Sequence, residues 1–304
     1  MSNQNTVYNI QFLQYTIKKM ANLKEIRNRI NSVSSTMQIT SAMKMVSAAK
    51  LKKAQDAIVA MRPYSEKLTE LIQSLSATLD ADLGGAYTQQ REVKKVLIVA
   101  ITSNRGLCGA FNSNVVKQVK NLLDTYQNKQ VTLYTIGKKG NDVLRKFAEV
   151  SHNNNAIYDH LTYDNNAVIA QEIMDAFAKG EFDKVELVYN QFKNAATQIV
   201  QTEQFLPLVA SKNVKAANAD YIFEPSKPEI VLDLLPKALK MQLYKALRDS
   251  FASEHGARMT AMHKATDNAT EMRDQLKLTY NKARQASITG EILEIVGGAE
   301  ALNG

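Results

Sequence analysis

The chain has 304 residues, 45% hydrophobic and 22% charged, enough to bury a sizeable core and ordinary for a folded protein. A single cysteine, Cys108, excludes an internal disulfide, and no apolar run approaches the roughly 18–20 residues of a membrane span. The net charge is +8, and between Lys18 and Glu70 eleven Lys/Arg stand against four Asp/Glu, so nearly all the excess lies there and points to an anionic partner.

Residues 1–19, "MSNQNTVYNIQFLQYTIKK", lack acids, arginine and a clean apolar segment, so they make a poor signal or transit peptide. Met20 followed by "ANLKEIRNRI" reads as a more natural start, which leaves 1–19 as a leader or extension of unknown role. Asn22 with Glu25 three residues on is an expected N-cap and capping box. A stripe of Leu23, Ile26, Ile30, Val33 and Met37 follows at alternating spacings of three and four, and resumes at Leu51, Ala54, Ile58 and Met61. Between them the heptad positions are Thr40, Lys44 and Ser47, while the apolar Ile39, Met43 and Val46 stand one step round. The stripe is therefore expected to drift about a nearly straight helix. Pro63 is expected as a kink. A helix from Leu23 to about Leu75 would be roughly 80 Å long, too long for a compact domain. Thirty residues between Glu25 and Asp56 contain no acid, and "ITSAMKMVSAAKLKK" (Ile39–Lys53) presents lysines among small, adaptable side chains.

The middle of the chain changes texture. "KVLIVAIT" (Lys95–Thr102) reads as a buried strand, "SNRGLCGAFN" as a turn, and "SNVVKQVKNLLDTY" as a helix. "QVTLYTIG" is a second strand, "KKGNDVLRKFAEV" a helix, Asn153–Asn155 a loop, and "NNAVIAQEIMDAFAKGEF" a helix. "KVELVYNQF" and "TQIVQTEQFLPL" close the region as two alternating strands, the second an edge or hairpin partner. Strand–helix alternation with short loops predicts a small doubly wound α/β domain. From Lys237 to Val296 a second helical pattern runs through Leu239, Leu243, Leu247, Phe251, Met259, Met262, Ala265, Ala269, Met272, Leu276, Tyr280 and Ala283. Pro236 suits its first turn and Gly297-Gly298 its C-terminal cap. Gly256 and Gly290 inside it cost about 1 kcal/mol each against alanine, which suggests close backbone approach there. Each rod has one apolar seam. The expected architecture is α/β: a long antiparallel coiled coil of N- and C-terminal helices with an inserted small doubly wound α/β domain. Its boundaries are 1–19 (leader), 20–80 (N-terminal coiled-coil helix), 81–225 (central α/β domain) and 226–304 (C-terminal coiled-coil helix).

Catalytic signals are weak. "TSNRGLCGAFN" follows a strand, where phosphate sites live, yet it matches neither G-x-G-x-x-G nor G-x-x-x-x-G-K-[ST], and no acid ends the second strand to hold a ribose. It reads as a structural turn. Cys108 has no CxxC partner, and His152, His160, His255 and His263 show no metal spacing. A basic coiled-coil nucleic-acid binder stays open as an alternative, although the basic face lacks base-reading aromatics. A nucleotide enzyme built on the central domain is a third reading.

"LTYNKARQASITGEILEIVGGAEAL" (Leu278–Leu302), "KEIRNRINSVSSTMQITSAMKMVSAAKLKKAQ" (Lys24–Gln55) and "SNRGLCGAFN" together resemble the gamma subunit of F-type ATP synthase, in a bacterial wording. The resemblance covers the chain from about Met20 onward and leaves 1–19 without a counterpart. It implies a central rotor stalk, part of CF(1), that carries rotation from a proton-driven membrane ring to a catalytic hexamer. The partners implied are the alpha and beta subunits, the epsilon subunit and the membrane c-ring, with no nucleic acid. No cofactor, no metal and no active site of its own are implied. The implied location is peripheral, on the cytoplasmic side of the inner (plasma) membrane. The same resemblance assigns Met43 and Lys44 to a neck facing an acidic loop of the catalytic subunits. It makes Arg258, Arg284 and Gln285 hydrogen-bonding catches, and Thr289 and Glu291 supports of the neck against the first helix. Lys44 stands where many relatives carry Glu, and Gly290 where Gln is common.

Overall fold

The computed structural model describes residues 2–76, 85–208 and 227–303. Two long helices, α1 (Ser2–Ser76) and α5 (Lys227–Asn303), bracket a sheet region in sequence. That region contains β1 (Lys95–Ile101), α2 (Phe111–Thr125), β2 (Gln130–Ile136), α3 (Lys138–Leu144), β3 (Glu149–Asn154), α4 (Tyr163–Ala178), β4 (Lys184–Phe192) and β5 (Gln198–Leu206). The chain divides into two compact units: Met1–Lys44 with Met262–Gly304, and Met45–Ala261.

In the Met45–Ala261 unit the sheet order is β3-β2-β1-β4-β5, parallel except for the antiparallel edge strand β5. The apolar run of β1 is buried on both faces, as a central parallel strand requires. Val96, Ile98 and Ala100 meet Val115 and Val119 of α2 and Leu144 of α3. Leu97, Val99 and Ile101 form a core with Ile169, Ile173 and Phe177 of α4 and with Leu239, Leu243 and Leu247 of α5. Each of those three leucines is fully buried and contributes about 1.5–3 kcal/mol. The opposite side of α5 meets α1, Ala252 packing with Leu51, Ala54 and Ile58, and Met241 with Met61 and Leu68. In this unit α5 therefore has two apolar faces rather than one seam.

Four expectations change. Asn22 lies inside α1, whose helix is continuous from Ser2, so it is not a cap. Pro236 lies well inside α5, where burial of Leu235 and packing of Leu234 outweigh its cost of about 3 kcal/mol. Gly297 and Gly298 are also internal, because the following "AEAL" favours helix enough to absorb about 1 kcal/mol per glycine. Asn153 and Asn154 belong to β3 rather than a loop. The expected boundaries at 80/81 and 225/226 lie outside the described residues.

The stripe on α1 does not drift. Thr40 (9% exposed) and Ser47 (2%) are buried at the heptad positions, while Ile39 (60%) and Val46 (57%) face outward. A threonine can take an interior position because its hydroxyl finds partners: Thr40 Oγ1 donates to Met37 O at 3.1 Å and accepts from Thr266 Oγ1 at 2.8 Å.

Candidate functional site

The unit formed by Met1–Lys44 and Met262–Gly304 is a helix pair. Arg27 bonds the Tyr280 hydroxyl and lies over its ring, Arg273 Nη1 reaches Met37 Sδ at 3.4 Å, and Thr266 bonds Thr40. Numbers rise on one helix as they fall on the other, so the pair is antiparallel. Its seam is thin and largely small or polar: Thr40, Met262, Ala269 and Ser287 are buried, and Leu23, Ile26, Ile30, Val33 and Met37 half-buried. Met272, expected in the stripe, is exposed, and Arg273 takes the inward position beside it. Thr36, Thr270 and Thr279 each return their hydroxyl proton to a carbonyl four residues back, while the single hydroxyl proton of Thr266 is shared between Thr40 Oγ1 and Met262 O, each at 2.8 Å. Outward-facing apolar residues collect near the end of α5, at Ile288, Ile292, Leu293, Ile295 and Val296.

Within this unit Met43 and Lys44 are half-buried, Arg284, Gln285, Thr289 and Glu291 are exposed, and Ser287 donates to Glu291 Oε1 at 3.3 Å. The antiparallel register keeps the two groups apart. Tyr280 stands at the level of Arg27, sixteen residues or about 24 Å from Met43, and Arg284–Glu291 lie further on.

Arg258 belongs to the Met45–Ala261 unit and has a different character. It is 7% exposed, pairs with Glu254 Oε1 at 2.7 Å, and donates from Nη2 to Arg105 O at 3.1 Å and Gly106 O at 3.3 Å. Within the chain the guanidinium thus binds the glycine-rich turn. That turn carries Leu107 and Gly109 at positive φ and is tied further by Asn112, which accepts from Ser103 N at 2.9 Å. Every residue from Ala252 to Arg258 is buried. Ser253 Oγ donates to Asn190 O at 3.0 Å, Thr260 Oγ1 to Ala195 O at 3.1 Å, and a Cβ on Gly256 would lie 3.2 Å from Ala195 Cα and O. The close backbone approach expected at Gly256 is therefore real. Tyr158 Oη donates to Thr102 O at 2.7 Å, while its ring stacks on Phe251, which meets His255 edge-on.

This segment of α5 lies against the carboxyl ends of β1 and β4, the strands between which the sheet order reverses. In open α/β sheets that crevice is where ligands bind. Here Ser253, Gly256 and Arg258 fill it, and the glycine-rich turn is closed onto a helix instead of cradling a phosphate. Burial, then Arg258 and Lys50, push the His255 imidazole down to about 3, so it stays neutral; burial raises the Cys108 thiol and keeps it unreactive. Among the described residues no group of three or more His, Cys, Asp or Glu could hold a metal ion, and no helix is long and apolar enough to cross a membrane. Glu254, Ser253 and Asn190 were not singled out from the sequence; Gly256, where a close backbone approach was expected, was the signal beside them.

The chain matches the family model described as ATP synthase over residues 22–302. It is 77% identical over 286 residues to the ATP synthase gamma chain of Flavobacterium johnsoniae, covering 94% of this chain and 100% of that one. A cryo-EM structure of the Tetrahymena thermophila mitochondrial ATP synthase, central stalk and c-ring, contains a chain 30% identical to it at a TM-score of 0.57, with 75% of this chain and 99% of that chain covered. A chain of the Euglena gracilis mitochondrial ATP synthase shares the fold at a TM-score of 0.68 and 22% identity, covering 93% and 95%.

Proposed function

The chain belongs to the ATP synthase gamma-chain family and is the rotor stalk subunit of that complex, and from this premise we propose how it acts. The two terminal helices stand inside a hexamer of alternating alpha and beta subunits, while the α/β body meets the epsilon subunit and the membrane c-ring. Ion flow turns the ring, and the stalk turns with it. The stalk binds each conformation of a catalytic subunit with a different affinity, so rotation moves that bias from site to site. Nucleotide chemistry belongs to the partners, a reading supported by the sheet crevice being filled by α5. The subunit belongs to a membrane-associated complex, and we place it peripherally on the cytoplasmic side of the inner (plasma) membrane. The nucleic-acid alternative gains no support.

The observation that carries this reading is the family match across 22–302, which takes in both terminal helices and the sheet between them. Co-purification tests it: a tagged chain should bring down two larger nucleotide-binding subunits whose ATP hydrolysis depends on it. Recovery of the chain without them would overturn the reading.

Within it, Met43 and Lys44 form a basic neck facing an acidic loop of the catalytic subunits, and Arg284 and Gln285 are exposed catches for their loops. Thr289 and Glu291 support the far part of the pair. In the purified complex Met43→Lys should lower proton pumping per ATP more than it lowers assembly. Arg284→Ala should slow ATP turnover while the circular-dichroism spectrum of the chain is retained; an unchanged rate removes Arg284 from the catches.

A further inference from the structure

Arg258 was expected to bond loops of other subunits, yet the guanidinium bonds described for it are internal. Nη1 meets Glu254 Oε1 at 2.7 Å and His255 Nδ1 at 3.4 Å, and Nη2 donates to two carbonyls of the 105–109 turn. Around it α5 is pinned on two sides of the sheet's carboxyl-end crevice. Ser253 and Thr260 bond Asn190 O and Ala195 O, at the end of β4 and in the hairpin after it, and Gly256 allows the helix to touch that hairpin. On the other side Arg258 binds the turn after β1. Since Asn190 Nδ2 also donates to Phe111 O at 3.1 Å, the two sides are tied to each other beneath the helix.

Resting on the rotor reading, we propose that Ser253–Thr260 of α5 is a key seated in the ligand crevice of the α/β fold, and that Arg258 is the positioning residue that locks it. Torque entering the α/β body reaches the helix through this joint. A rotary stalk assembled from a sheet body and a helix must resist slip where they meet, and nonpolar packing alone is non-directional. Charge-assisted bonds from one guanidinium to two carbonyls, with the guanidinium held by a buried carboxylate, fix direction as well as contact.

The test uses the assembled complex carrying Arg258→Gln, Glu254→Gln, or both. The lock predicts that each single variant lowers ATP-driven proton pumping per ATP hydrolysed several-fold, and that the double variant is no worse than either single one, because both residues serve one joint. Hydrogen exchange of amides 103–109 should rise about tenfold in each variant, the loss expected for a hydrogen bond to a charged group, while amides of β1 and β4 stay protected. If Arg258 instead serves as an outward catch, Glu254→Gln leaves pumping intact, exchange in the turn is unchanged, and the proposal falls. If Arg258→Gln fails to assemble, Arg258→Lys, which keeps the charge but reaches a single carbonyl, is read by the same exchange measurement. A wild-type complex whose ATPase does not depend on this chain would instead overturn the rotor reading and leave the measured joint standing.

Discussion

One helix, α5, is built to two different standards. Between Leu235 and Arg258 it is packed on two faces, with leucines in the sheet core and a run of buried residues from Ala252 to Arg258. From Met262 onward its pairing with α1 rests on threonines, an alanine, a serine and half-buried aliphatics, and every residue from Glu291 to Ala301 is exposed. Hydrophobic patterning alone does not distinguish the two stretches, since both carry apolar residues at helical spacing. What differs is how many elements converge on the helix. The first stretch is a structural member of a folded body, and the second presents surface.

The sharpest way to break this contrast is to cut equal side chains from each stretch. Leu247→Ala should destabilise the purified chain by about 3 kcal/mol, as removal of a fully buried leucine from a tight core does, read from urea midpoints. Leu278→Ala, at a position 63% exposed, should stay within about 0.5 kcal/mol. Comparable losses would mean that the two stretches are packed alike.

The next effect depends on pH. Asp249 is buried in the first stretch; burial lifts its carboxyl to about 6, Lys245 and Arg62 pulling it down and Glu203 pushing it up. A folded-state value above the ordinary one means that the folded chain holds a proton the unfolded chain releases. The ionised form therefore costs stability, and this cost grows as pH rises from about 4 through about 6. Asp249→Asn should gain about 3 kcal/mol over wild type at pH 8 and almost nothing at pH 4, measured as the difference in urea midpoint at each pH.

Glycines give a smaller and opposite-signed pair. Gly256→Ala sets a Cβ against Ala195 backbone and should cost about 1–2 kcal/mol despite its better helix propensity. Gly297→Ala meets nothing within 4 Å and should stabilise its helix by up to about 1 kcal/mol, raising the melting temperature. The smallest effect concerns the polar seam. Thr40→Val should cost about 1 kcal/mol, while Thr40→Val with Thr266→Val should be close to neutral, since both partners of the 2.8 Å bond are then apolar. A double-mutant cycle without coupling would deny that this bond organises the pair.

Much of this architecture is written in apolar runs. β1, β2, β4 and β5 are legible because valine, isoleucine and leucine cluster there, and the terminal helices because Leu23–Met37 and Leu51–Met61 keep their spacing. β3, "EVSHNN", escaped because an edge strand that is mostly exposed needs no apolar code. The polar seam was misjudged for a related reason: spacing marks which positions face inward but not whether a hydroxyl finds a partner, and at Thr40 it finds two. The joint at Arg258 was hidden because its partners are main-chain carbonyls 152 and 153 residues away, which no local pattern reports. Motif likeness placed Arg258 among functional residues, and its bonds within the chain run to Glu254 and to the carbonyls of Arg105 and Gly106.

The seam of threonines has a thermal consequence. Heat capacity of unfolding follows apolar area exposed, and polar area lowers it. The sheet body, with its leucine and valine core, should therefore give a strongly curved stability profile. The helix pair, with little apolar surface to uncover, should give a nearly flat one. Cooling weakens hydrophobic cohesion in the first and leaves the second almost untouched, so across a wide range of growth temperatures the grip between the two helix ends should stay nearly constant.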